Sequence, residues 1–187
     1  MVILIGTLAS GEHKFPDYPI RPANDYAIRT EKHGLVIGVE PVEDVSAQRT
    51  YFNTDLTAKG FLPVFVVISN QSTQDSYIFQ RTNVEYGAAS KYSGDDVAAE
   101  TDQTAVAANV TTTPAVYLVP GKIVGASNVS ENIVKKQIQS GTVSPGASVH
   151  GFLYIPVPKK SSRDKLHLQV PLTKAGTNET HVLNVFF

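Results

Sequence analysis

The longest run of β-branched and aromatic residues in the chain is Phe61-Leu62-Pro63-Val64-Phe65-Val66-Val67-Ile68-Ser69-Asn70, and it does not alternate with polar positions. Gly60 precedes it and the turn-rich Asn70-Gln71-Ser72-Thr73-Gln74-Asp75 follows. A continuous apolar run stopped at both ends predicts a strand buried on both faces. Pro63 has no N–H to donate, which places it near the start of that strand. Weaker strand patterns surround the run. Tyr26–Thr30 alternates, and Gly34–Glu40 is a clearer strand stopped by Pro41. Asn70–Asp75 reads as the turn of a hairpin whose return strand is Ser76–Gln80, and Asn83–Tyr86 continues the alternation. Ser148–Ile155 is mostly apolar and is closed by Pro156 and Pro158. Leu166–Val170 alternates cleanly, with Leu166, Leu168 and Val170 facing in, and His181–Phe187 forms a last strand.

Helical spacing appears twice. Between Glu43 and Leu56, Val45, Arg49 and Phe52 fall on one stripe, with Glu43 and Asp44 where a helix dipole favours acids. In Ser130–Ile138 the residues Ile133, Val134 and Ile138 share a face. Ser130 or Asn128 is the N-cap candidate and Gly141 the expected stop. Ser144-Pro145-Gly146-Ala147 carries the chemistry of a type II turn, with Pro at the second position and Gly at the third. Phe15–Pro22 holds prolines at 16, 19 and 22, which predicts an extended, non-helical lead-in.

Two stretches fall outside this rhythm. Met1–His13 is an apolar segment that reads either as the remnant of a secretory signal or as a first strand, since it lacks a basic flank. Residues 88–127 are rich in Ala, Thr, Val, Ser and Asp, which predicts an insertion within a single domain spanning 14–187. Short strands with turn signals, one or two short helices and no βαβ rhythm predict an all-β fold. The expected form is an antiparallel immunoglobulin-like β-sandwich carrying an Ala/Thr-rich insertion.

At 187 residues and 42% apolar content, such a domain buries a sufficient core without disulfides or metal. The 16 Lys and Arg nearly balance the 17 Asp and Glu, which argues against nucleic acid as a partner. The absence of cysteine excludes disulfides, thiolate catalysis and cysteine-ligated zinc.

Candidate chemistry is sparse. No nucleophile elbow, P-loop, paired-histidine zinc motif or dinucleotide fingerprint is present, and no cofactor is expected. His150, His167 and His181 fall on three different strands, which is the weak case for a metal-dependent hydrolase. Against it, His167 is expected on the outward face of its strand, and His150 shares a face with Phe152 and Tyr154. Asp95, Asp96, Glu100 and Asp102 lack the spacing of a calcium loop and read as a solvated acidic stretch. Lys135-Lys136 and Lys159-Lys160 are pairs and not patches. Within the insertion, the apolar Val116, Tyr117, Leu118 and Val119 are the candidates for an interface with a partner or a membrane.

Three pieces taken together carry a resemblance: Leu35–Pro41 with the short helix after it, Gly60–Asn70, and Val143–Ile155. In these the chain resembles a group of uncharacterised bacterial exported proteins and lipoproteins with an immunoglobulin-like sandwich. The resemblance covers roughly residues 14–187 and implies an envelope location, periplasmic or at the outer membrane, but no reaction. It departs from a lipoprotein where Thr7, and not cysteine, follows Leu4-Ile5-Gly6. The expected function is therefore a non-enzymatic envelope protein that binds a protein or envelope component. The alternatives are docking to a partner or membrane surface through 88–127, and a cytoplasmic location.

Overall fold

The computed structural model describes residues 15–88, 113–114, 127–156 and 166–187. Its strands are β1 (Ile28–Lys32), β2 (Leu35–Pro41), β3 (Phe61–Asn70), β4 (Tyr77–Phe79), β5 (Glu85–Ala88), β6 (Thr113–Pro114), β7 (Gly141–Val143), β8 (Ser148–Pro156), β9 (Leu166–Lys174) and β10 (Thr180–Phe186). Two helices, α1 (Val45–Phe52) and α2 (Ser127–Lys136), complete the described elements together with two short 3-10 turns. The strands form two antiparallel sheets, one of order β1-β2-β3-β8 and one of order β6-β5-β9-β4-β7 with β10 on the other side of β9. The fold is all-β and sandwich-like. Met1–His13, most of the 88–127 insertion including Val116–Val119, the acidic stretch from Asp95 to Asp102, and Lys159-Lys160 lie outside the described residues.

β3 spans the predicted Phe61–Asn70 and shows why the run does not alternate. Leu62, Val64, Val66 and Ile68 point into an aliphatic core between the sheets, against Leu168, Val170, Leu172, Leu183 and Val185. Phe65 and Val67 point the other way, into a second core that α1, α2 and the lead-in close over the four-stranded sheet. The central sheet is thus covered on both faces, and both sets of β3 side chains leave water. Pro63 sits just beyond the register with β2, which ends at Val64, so its missing N–H breaks no pairing there. Pro171 is placed by the same logic. It lies where the neighbour of β9 changes from β5, which pairs up to Gln169, to β4, which begins at Leu172.

The expected hairpin at Asn70–Asp75 is not formed. β4 leaves β3 for the other sheet and pairs with β7 and β9. The buried Asn70 side chain makes the corner. Its amide donates to the carbonyls of Asp75 at 2.7 Å and Val143 at 2.9 Å, and its oxygen accepts from the N–H of Ser72 at 3.0 Å. The Ser144–Ala147 turn forms as expected, with Gly146 at φ +71° and the Ala147 N–H donating to Ser144 at 2.9 Å.

The helices differ from expectation in which residues they bury. In α1 the Asp44 side chain caps the Ala47 N–H at 2.7 Å, but Gln48, not Arg49, joins Phe52 on the buried side. Gln48 satisfies its amide there: it donates to the Val42 carbonyl and to Thr57 Oγ1, both at 2.7 Å, and accepts from the Thr57 N–H at 3.1 Å. α2 begins at Ser127, so Asn128 and Ser130 lie inside it and do not cap it. It ends at Lys136, and Gly141 starts β7 instead of stopping the helix. Ile133 is buried in the outer core with Val129, whereas Val134 is 40% exposed. Ile138 lies past the helix and enters the core between the sheets. A short parallel bridge, Gln137 to Phe152, sets that crossing, and the Ile138 N–H donates to the Phe152 carbonyl at 3.1 Å. Gly151 makes room for it, since a Cβ there would stand 2.5 Å from the Ile138 nitrogen.

A candidate binding groove on the outer face of the four-stranded sheet

The outer core is open at one end, where β3 and β8 meet the last turn of α2 and the lead-in. The opening is a groove of about 400 Å³. Its floor is aromatic because Phe65 and Phe152 are cross-strand partners on the outer face of the sheet, with ring centroids 4.9 Å apart. Tyr18 from the lead-in lies over both, 4.7 Å from Phe65 and 5.1 Å from Phe152, and meets Tyr51 of α1 edge-on at 4.8 Å. The prolines at 16 and 19 hold the lead-in extended, which keeps Tyr18 on the sheet and brings Asp17 and the 56% exposed Ile20 to the rim. Burial, reinforced by the nearby Glu40 carboxylate, raises the Tyr18 phenol above its ordinary value, so the ring carries a neutral hydroxyl.

One wall is basic. Lys135 and Lys136 occupy the last turn of α2, where a helix C-terminus favours cations. Lys136 Nζ donates to the Pro16 carbonyl and lies 5.9 Å from the centroid of the Tyr51 ring. Burial lowers the affinity of this ammonium for its proton, and Asp17 acts in the opposite sense. Gln137, Gln139 and His150 add polar groups that can donate or accept hydrogen bonds. The groove therefore has the half-buried Tyr18 ring and the exposed Ile20 above the buried Phe65 and Phe152, with a cationic wall and polar groups beside them.

The candidate histidines are not brought together. His150 is exposed on the outer face of β8 and lines the groove, with its ring centroid 6.2 Å from Phe65. His167 is buried and not outward in solvent as expected. It stacks on Phe186 at 4.5 Å, and Nε2 lies 3.1 Å from Asn184 Oδ1. His181 faces inward at the end of the sandwich, stacked on His33 at 4.3 Å with Glu179 at 3.5 Å. Among the described residues no group of three or more His, Asp or Glu could hold a metal ion. Among them, too, no helix is long and apolar enough to cross a membrane.

Sequence reading did not find the groove, although its parts were visible. Phe65 and Phe152 read as core positions, Lys135-Lys136 as a helix end, and Tyr18 as one residue of a proline-rich lead-in. The available signal was that odd as well as even positions of β3 are apolar, which requires a covering layer on each face of the sheet. No family model matches the chain, no curated protein matches it, and no solved structure does.

Proposed function

We propose that this chain is a non-enzymatic binding module of the bacterial envelope, and that the groove over Phe65 and Phe152 is its ligand surface. The observation that carries this is the groove itself, an aromatic floor beside a cationic wall in which each element comes from a different part of the chain. Aromatic lining and a few placed polar groups are the usual composition of a recognition surface. The envelope location rests on the resemblance of Leu35–Pro41, Gly60–Asn70 and Val143–Ile155 to exported proteins. The immunoglobulin-like kind of sandwich belongs to the same proposal, supported by two antiparallel sheets over an aliphatic core.

Two measurements test it. Fractionation of the native host with an intact mass of the protein from each fraction is expected to yield an envelope species, and an unprocessed cytosolic species would overturn the location. Amide NMR of the purified chain, titrated with envelope saccharides, acidic peptides and aromatic carboxylates, is expected to shift Lys136, His150 and Phe152 together. Saturable turnover of any of these compounds would overturn the non-enzymatic reading.

A further inference from the structure

Resting on the groove as a binding surface, we propose that its ligand is an extended acidic peptide segment of a partner protein, added as a strand to the free edge of β8 at Ser148–His150. Among the described residues β8 is the last strand of its sheet, with β3 on one side and the Gln137 bridge on the other. The Asn70 N–H donates to the Ala147 carbonyl at 2.9 Å, so residue 147 turns its carbonyl toward β3. Phe152 turns its carbonyl the opposite way, to Ile138. Main-chain groups alternate between the two edges of a strand. His150 and Ser148, two and four residues before Phe152, therefore direct their N–H and C=O groups off this edge, and both residues are exposed.

The chain already uses this edge once, in the parallel bridge between Gln137 and Phe152. That bridge is short, and the edge continues beyond it beside Lys135 and Lys136. Edge strands are commonly blunted with lysine, proline or a covering element, and Ser148-Val149-His150 carries neither lysine nor proline. Strand addition supplies main-chain hydrogen bonds while alternate side chains supply specificity. Here every second side chain of an added strand lies on the outer face, toward Tyr18 and Ile20. The charge follows from the wall: two lysines stand against one acid, Asp17, so a segment bearing carboxylates is favoured over a basic one.

The experiment uses the full chain and a short fluorescein-labelled peptide in which phenylalanine and valine alternate with aspartate. The expected result is saturable anisotropy that weakens with salt, accompanied by shifts of the Ser148, His150 and Lys136 amides. Replacing aspartate by lysine in the peptide, or Lys135 and Lys136 by glutamate in the protein, is expected to weaken binding by at least about tenfold. Two further peptides are N-methylated at every second residue, offset by one. One blocks the edge that pairs and the other blocks the edge facing solvent, so only one of the two should keep the parent affinity. Equal affinity of both forms, or loss of both, overturns strand addition. If the acidic peptides fail while a saccharide or an aromatic carboxylate shifts Lys136 and His150, the groove stands and the peptide is wrong. If no probe shifts those amides, the groove reading falls too. Concentration-dependent dimers that compete with the peptide would identify a second copy of this chain as the occupant and overturn a partner protein.

Discussion

The two cores of this molecule share strands β2, β3 and β8 and differ in composition. Among the described residues the packing between the sheets is almost wholly aliphatic, with Leu, Ile and Val from β2, β3, β8, β9 and β10 and only Tyr77 and Phe79 as fully buried rings. Outside the four-stranded sheet it is aromatic, with Tyr26, Phe52, Phe65, Phe152 and Tyr154 buried and Tyr18 and Tyr51 packed against them. Facing sheets are held at a near-constant spacing of about 10 Å, which layers of branched aliphatic side chains fill. Helices and a lead-in lie over a sheet at uneven heights, and large flat rings fill such gaps. Rings with hydroxyls also bring polar handles to main-chain groups that a helix leaves unpaired. The buried Tyr154 hydroxyl donates to the Ile133 carbonyl of α2 at 2.9 Å, and Asn132 donates across to the Tyr51 carbonyl of α1 at 2.7 Å. The outer core can therefore be open at one end, where the groove lies.

The largest effect is expected where the two cores meet. Gly151→Ala places a Cβ 2.5 Å from the Ile138 nitrogen at a backbone φ of +150°, and no flexible side chain is there to yield. Loss of more than about 3 kcal/mol is expected by urea denaturation. A variant within about 0.5 kcal/mol of the parent would show that the Gln137–Ile138 crossing is not needed to join the cores.

Asn70→Ala acts on the inner core alone. It leaves the carbonyls of Asp75 and Val143 without their amide donor and frees the corner between the sheets. A cost of roughly 2–3 kcal/mol is expected. The amides of β4 and β7 should lose hydrogen-exchange protection while those of α1 and α2 keep theirs.

Tyr154→Phe does the reverse. It keeps the ring and removes the donor to the Ile133 carbonyl, for about 1 kcal/mol. The exchange of α2 amides should rise without change in β9 and β10, and equal loosening of both cores would erase the distinction.

The smallest effect is that of pH. His181 is held below its ordinary value of 6.5 by burial first and then by the stacked His33, with Lys32 and Lys174 adding to the shift and Glu179 opposing it. Burial lowers His167 as well, against the bond to Asn184. The folded chain thus takes up these protons less readily than the unfolded chain. Their contribution to stability is full above about pH 6.5 and is lost as pH falls through the depressed folded values. The melting temperature should drop between pH 7 and pH 5, more in the parent than in a His181→Gln variant. Because His33 and His181 come from different sheets, the same drop should loosen the inner core and spare the groove.

Local grammar was legible. Phe61–Asn70, a short helix after Glu43 and the Ser144–Ala147 turn can be read from neighbouring residues, because strand length, helical spacing and a turn are set by side chains within a few positions. The unbroken apolar character of β3 also announced that both faces would be covered. Partners distant in sequence were not legible. Nothing near Asn70 indicates that its amide will meet Val143, 73 positions away, and turn an expected hairpin into a corner between sheets. Periodicity placed Ile138 with Ile133, yet the bridge to Phe152 carries it through to the other core. It set His167 opposite Leu166 and Leu168 correctly but could not say that this second face is buried. The sequence by itself determined where the long strands run and how their side chains alternate, because those follow from local sterics and the period of two. Only the tertiary structure decided what lies against each side, and with it the groove. Burial and pairing depend on segments brought together from across the chain, and no local pattern encodes their relative position.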